Sequence, residues 1–208
     1  MCALCFFAAN LFCLKICVDL RNLRITLFSH LIGAGVLIAM AGLPGTGKST
    51  LARRLADALG GVVLSKDVVR AALFPTPVLD YSAAQDEIAM SAVYTAAEAI
   101  LKADPARVVI LDGRTFSKPG QVDPPIALAA KLGVPFRAIE CVCADEVARS
   151  RLTADHAAGT HPAGNRTPDL YAQAKAAAVL LRVPRLTLDT GALVLEECVN
   201  RALEYLAG

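Results

Sequence analysis

The stretch "GLPGTGKST", residues 42–50, constrains this chain more than any other, because Gly42, Gly47, Lys48 and Ser49 follow the spacing G-x-x-x-x-G-K-[ST]. Glycines at such positions let a backbone wrap a phosphate chain with successive N–H groups turned inward. The flanks supply what that geometry needs. "GVLIAMAG" is an unbroken apolar run, the pattern of a strand buried on both faces. Residues 48–59 place Leu51, Leu55 and Leu59 four apart, which predicts a helix with one apolar stripe. Strand, glycine loop and helix N-terminus together make an anion cradle. The candidate nucleotide-binding residues are therefore Gly42, Pro44, Gly45, Thr46, Gly47, Lys48, Ser49 and Thr50. Lys48 should reach the β- and γ-phosphates and Ser49 should ligate Mg2+, so ATP and Mg2+ are the implied ligands.

From Val36 onward, short apolar runs alternate with helical text, the signature of a parallel α/β sheet. "GGVVLS", "ARVVILDG", "PFRAIECVC" and "RLTLDT" supply four more strands. Helices are expected near residues 67–73, 82–102, 145–158, 170–181 and 191–206, with "PTP" breaking the first of these. The expected fold is a three-layer α/β sandwich around a five-stranded parallel sheet, with a small helical lid near residues 149–168. No internal repeat interrupts it.

At 208 residues, the chain suits one domain. Its 21 basic and 19 acidic residues fall unevenly. The first 35 residues hold Lys15, Arg21, Arg24 and Asp19, so residues 36–208 are neutral, with 18 of each sign. A neutral domain lacks the basic footprint of a nucleic-acid binder, which disfavours that class of partner. Residues 1–35 form an atypical apolar extension. "MCALCFFAANLFCL" is shorter than a membrane-spanning helix needs and lacks a charged leader before it. A membrane or partner-binding helix, an extra packed element and a mis-assigned start remain alternatives, and membrane association is disfavoured. The C-x-x-C of Cys2 and Cys5 sits among apolar residues, unlike a zinc site with its polar surroundings. The seven cysteines read as reduced apolar residues in a cytoplasmic protein.

Four further residues are candidates for carrying chemistry. Asp112 ends the strand "VVILD" at the sheet's carboxyl edge, where ligands bind in this architecture, and can hold Mg2+; the alternative is a plain Asp-Gly turn. Arg114, two residues on, faces either the cleft or solvent. Asp67 follows the second strand directly, with Arg70 one helical turn later on the same face. A carboxylate beside an acceptor hydroxyl can take its proton, and an arginine can orient the acceptor. By themselves, Asp67 also reads as a helix cap and Arg70 as a surface residue.

Taken together, "GLPGTGKSTLARRLADALG", "LSKDVVRAALF" and "VVILDG" resemble the small P-loop kinases grouped with zeta toxins, chloramphenicol phosphotransferase, gluconate kinase and the 5′-kinase domain of polynucleotide kinase. The resemblance covers roughly residues 36–190. It implies the fold of P-loop-containing nucleoside triphosphate hydrolases, with Asp67 as general base and Arg70 as acceptor contact. Such kinases often carry R-L-x-x-R in the lid, whose arginines neutralise the transferring phosphoryl group. Here "ARSRLTADH" offers Arg149 and Arg151, while Asp155 stands at the second motif position and Arg166 is a substitute from the loop. His156 and His161 read as lid surface. Other classes fit worse: neither a GTPase N-K-x-D segment nor a transporter L-S-G-G-Q-like signature occurs, and a motor ATPase needs a longer chain. The expectation is an ATP-dependent kinase acting on a hydroxyl of a small molecule. A polynucleotide 5′-hydroxyl kinase and a non-catalytic ATP-binding module are the alternatives. "PTPVLDYSAAQDE" and "RTFSKPGQVDPP" should shape the acceptor pocket, and neither maps to one ligand.

Overall fold

A computed structural model describes residues 35–159 and 167–208. The N-terminal apolar run, its C-x-x-C, His161 and Arg166 lie outside the described residues.

Strand β1 (Val36–Ala41) is buried along its whole length, and its pleat divides its side chains between two layers. Val36, Ile38 and Met40 face one core with Leu51, Leu55 and Leu59 of α1 (Lys48–Leu59) and Cys198, Ala202 and Leu206 of α7 (Leu195–Ala207). Leu37 faces the other, against Met90, Val93, Ala97 and Leu101 of α3 (Ala83–Ala103) and Leu128 and Ala129 of α4 (Asp123–Leu132). A strand covered on both faces is why "VLIAMA" contains no polar residue.

The sheet comprises β1, β2 (Val62–Ser65), β3 (Val108–Asp112), β4 (Phe136–Val142) and β5 (Leu186–Asp189). All pairs are parallel and the order is β2-β3-β1-β4-β5. The chain lays β2 and β3 on one side of β1, then crosses back to lay β4 and β5 on the other. The reversal opens a crevice at the carboxyl end of β1, where the glycine loop sits. Helices α2 (Lys66–Leu73), α5 (Asp145–Ala158) and α6 (Pro168–Ala176) flank that edge.

Some boundaries differ from the sequence expectation. The helix expected over 170–181 ends at Ala176, because the Val179 amide donates instead to the Ser117 carbonyl (2.8 Å). That bond draws Leu181 into an apolar cluster with Ala39, Ala41, Phe116 and Ala138. The closing helix begins at Leu195 rather than 191, since Asp189 Oδ1 accepts the amides of Gly191 (2.9 Å) and Ala192 (3.2 Å) in a side-chain-capped turn. Helix α4 was not foreseen as a separate element: "VDPP" starts it, prolines fitting the first turn where their missing N–H costs nothing. None of the helices among the described residues is long and apolar enough to cross a membrane.

Leu55 of α1 is fully buried in the cluster formed with the sheet and α7. Leu55→Ala is expected to lower the unfolding free energy by about 2–5 kcal/mol, measured by urea denaturation followed by circular dichroism.

Candidate active site

The glycine loop runs from the end of β1 to Lys48, the first residue of α1. Gly45 and Gly47 have φ of 78° and 82°, and Gly47 is the left-handed N-cap of the helix. A Cβ on Gly45 would meet the Ala148 carbonyl at 2.6 Å, so only glycine lets α5 pack this closely. No side chain caps α1 and no acidic residue sits in its first turn. The amides of that turn have no intrahelical acceptors, so they and the positive end of the helix dipole are available to an anion. They open into a cleft of about 930 Å³, large enough for a nucleotide and a small second substrate.

The loop is held from several sides. The Gly42 amide donates to the Thr115 carbonyl (3.0 Å) after β3. Thr46 Oγ1 (2.8 Å) and Lys48 Nζ (2.6 Å) both donate to the Leu43 carbonyl. Thr190, after β5, donates its hydroxyl to the Thr46 carbonyl (2.9 Å) and accepts from Arg151 Nη1 (3.0 Å). Arg151 Nη2 donates to the Thr190 carbonyl (2.8 Å).

Of the sequence-predicted residues, Pro44, Gly45, Gly47, Lys48, Ser49, Thr50, Asp67, Arg70 and Arg151 line the cleft. Gly42 and Thr46 do not. They back the loop, on a neighbouring cavity of about 290 Å³, with the Thr46 side chain turned inward. Arg149, the other lid candidate, is exposed and outside the cleft lining. Ala148 and Leu152 of α5 pack inward against Leu43 and Tyr171, which sends residues 149 and 151 to opposite flanks of the helix. Only the flank of Arg151 faces the cleft.

Asp112 is 5% exposed, and its Oδ1 has no hydrogen-bond partner among the described residues. A buried carboxylate oxygen without a partner is costly, and a hard cation with oxygen ligands removes that cost. Burial pushes the nearby Cys141 thiol up to about 12, with the charge of Lys48 working against that rise and that of Asp112 adding to it. Lys48 and Asp112 therefore both act on that thiol, and the orphaned Asp112 oxygen suits a hard cation such as Mg2+. Among the described residues no cluster of three or more His, Cys, Asp or Glu offers a separate metal site.

Across the cleft lies a second group, only part of which the sequence foretold. Asp67 Oδ1 accepts from Arg70 Nη2 at 2.8 Å, and Lys66 Nζ stands 3.6 Å away. Arg70, 4% exposed, also bonds Asp86 and stacks its guanidinium 4.7 Å from the Tyr81 ring. Lys66 donates to the other Asp86 oxygen at 2.9 Å. Asp86 comes from α3, whose start is set by Ser82 accepting the Gln85 amide (3.3 Å). Tyr81 has φ 55°, a left-handed conformation costly for a bulky residue and informative when it lines a cleft. Lys66 and Thr190 were not expected at the site, while Tyr81 and Asp86 lie in "PTPVLDYSAAQDE", the segment expected to shape the acceptor pocket, without having been singled out. No local motif marks them; only Lys66, beside Asp67, offered a positional hint.

A strand-loop-helix anion cradle, a strand-end carboxylate and a facing ionic cluster at the crevice of a 2-3-1-4-5 sheet define a P-loop nucleotide-binding α/β protein. The chain belongs to the AAA domain family, whose profile matches residues 37–179. Among solved structures it is similar to a candidate kinase from Chloroflexus aurantiacus J-10-fl, with 24% identity, TM-score 0.65, and coverage of 82% of this chain and 97% of that one. It is similar also to the APS kinase of Mycobacterium tuberculosis bound to AMPPNP and APS (18%, 0.60, 84% and 99%) and to a gluconokinase from Sinorhizobium meliloti (19%, 0.57, 82% and 90%). At these identities the likeness is one of fold. No curated protein sequence matches significantly.

Two outcomes follow. Thr190→Val removes the hydroxyl between Arg151 and the loop, and should weaken binding of a fluorescent ATP analogue about tenfold, roughly one hydrogen bond. Hydrogen bonds from Lys175 and then Tyr171 hold the Asp145 carboxyl below its ordinary 3.8. A lowered folded-state value stabilises above the unfolded value and loses that contribution as pH falls through the lowered one. Wild type should therefore lose more thermal stability than Asp145→Asn between about pH 5 and pH 2, read by melting followed at 222 nm, about the helix band.

Proposed function

We propose that this protein is an ATP-dependent kinase that transfers the γ-phosphoryl group to a hydroxyl of a small-molecule acceptor in the cytoplasm. The observation that carries the proposal is the placement of Asp67, at 14% side-chain exposure, in the same cleft as Lys48 and the α1 N-terminus. The kinases among the similar structures, one of them bound to AMPPNP, support the choice of donor. The three free thiols among the described residues, Cys141, Cys143 and Cys198, suit a reducing compartment.

In this reading the loop amides and Lys48 hold the β- and γ-phosphates, and Arg151 reaches the developing charge by leaving Thr190. Ser49 and Asp112 would hold Mg2+, which supplies charge neutralisation between the phosphates. The acceptor oxygen forms a bond to the γ-phosphorus as the bond to ADP breaks, and the acceptor proton passes to Asp67. Arg70 and Lys66 both engage Asp67 Oδ1, which holds the carboxylate in one orientation and assigns the proton to Oδ2. Positioning provides most of the catalysis, and the base completes it.

Asp67→Asn should reduce transfer by about 10²–10⁴-fold while leaving ATP affinity within about twofold. The measurement is a labelled-ATP assay against a panel of hydroxyl metabolites and a 5′-hydroxyl oligonucleotide, with nucleotide binding read separately. Full transfer in the variant overturns the role of Asp67. Transfer to the oligonucleotide alone, weakening steeply with salt, overturns the small-molecule acceptor.

A further inference from the structure

We propose that the acceptor carries an anionic group, a carboxylate or a phosphate, and that Arg114 takes it up in exchange for Glu87. The inference deepens the kinase reading of the same cleft and rests on it.

The first support is charge. Seven basic side chains line the cleft, Lys48, Arg53, Lys66, Arg70, Arg114, Lys118 and Arg151, against the carboxylates of Asp67, Asp86 and Asp155. Basic groups stay in excess when Asp112 and Glu87, outside that lining, are added. A triphosphate would take up the charge on the side of Lys48 and Arg151, which leaves Arg114, among the described residues, as the buried cation of the cleft outside the network of Lys66, Asp67, Arg70 and Asp86.

The second support is an asymmetry between two buried arginines. Arg70 is satisfied by Asp67, Asp86 and the Tyr81 ring, groups that belong to the structure around it. Arg114 is equally buried, at 6% exposure, yet its ion partner among the described residues is Glu87, whose side chain is 67% exposed. A buried guanidinium without an anion is strongly disfavoured. An exposed glutamate on a flexible stem gains little from staying and little is lost when it swings into water. The pair is therefore built to exchange its anion rather than to keep it. Arg114 Nε and the Tyr94 hydroxyl are both buried and make no well-aligned hydrogen bond among the described residues. Burial raises the Tyr94 phenol, with the Arg114 charge opposing that rise, which places the two side by side.

The third support is rigidity. The loop bearing Arg114 is tied at Thr115 to the Gly42 amide and at Ser117 to the Val179 amide, and Ser117 Oγ donates to Thr115 Oγ1 at 2.8 Å. Phe116, 2% exposed, is held at φ 52°, and Gly113, at φ 92°, packs against Lys66. A strained, over-determined loop presents one planar fork in a fixed place, suited to bidentate recognition of a carboxylate or phosphate.

The test has two arms on the full chain. In the kinetic arm, ADP formation is followed with glycerol, glycerate and glycerol 3-phosphate, a matched series that separates neutral, carboxylate and phosphate acceptors. Transfer should favour an anionic member, and Arg114→Met should raise its KM about tenfold to hundredfold with a smaller change in kcat. In the binding arm, saturating Mg-AMPPNP occupies the cradle, and inorganic phosphate or acetate is titrated by calorimetry. Arg114→Met should weaken that binding at least about tenfold. Glu87→Gln, an exposed change that spares the fold, should tighten it about threefold or more by removing the competing anion. Preference for glycerol, or anion affinities unchanged in both variants, overturns the proposal. Absence of any acceptor-dependent ADP formation together with the expected binding shifts counts against the kinase reading instead and leaves the anion site standing.

Discussion

Everything at this site depends on how the glycine loop is held open by atoms other than its own. The hydroxyl of Thr190 bridges the Thr46 carbonyl and the Arg151 guanidinium, while the Gly42 amide is tied to the segment after β3. Each bond contributes only about 0.5–1.5 kcal/mol net. Their joint effect is geometric: the ends of β3 and β5, on either side of β1, pin a loop whose amides would otherwise seek other partners. Anion binding then costs little reorganisation, which is the basis of electrostatic preorganisation. The same hydroxyl couples the loop to α5, so the helix carrying Arg151 is registered against the phosphate cradle.

The opposite wall follows a different logic. Lys66, Asp67, Arg70 and Asp86 form a network too buried to be explained as surface decoration. Desolvation removes most of what such a network contributes to stability, so its retention points to positioning rather than to folding. Tyr81 supports the same conclusion, since its strained backbone is tolerated where its ring covers Arg70. Arg114 and Glu87 contrast with this arrangement, because one partner is fixed and the other is free to leave.

Much of this was legible in the sequence wherever the physics is local. The glycine spacing, the leucine stripe of α1 and the strand-end position of Asp112 depend on neighbours within a few residues, and all three stand where the pattern puts them. Asp67 and Arg70 were visible as a pair for the same reason, being one helical turn apart. Tyr81, Asp86 and Glu87 were visible only as part of a pocket-shaping segment, and Thr190 not at all, since each joins the site across a crossover connection. Arg149 and Arg151 could not be separated until the packing of Ala148 and Leu152 set the rotation of α5. The helix ending at Ala176 was misjudged because helix-favouring alanines continue past it, and the hydrogen bond from Val179 to Ser117 that stops it is a tertiary contact.

By itself, then, the sequence determined a parallel α/β sheet with a phosphate cradle at its first crossover, because periodicity and glycine conformational freedom act over short range. Tertiary structure alone decided which arginine faces the cleft, which residues restrain the loop, and how the charges opposite Lys48 are paired. Those outcomes depend on helix rotation and strand order, which bring together residues that have no relation along the chain.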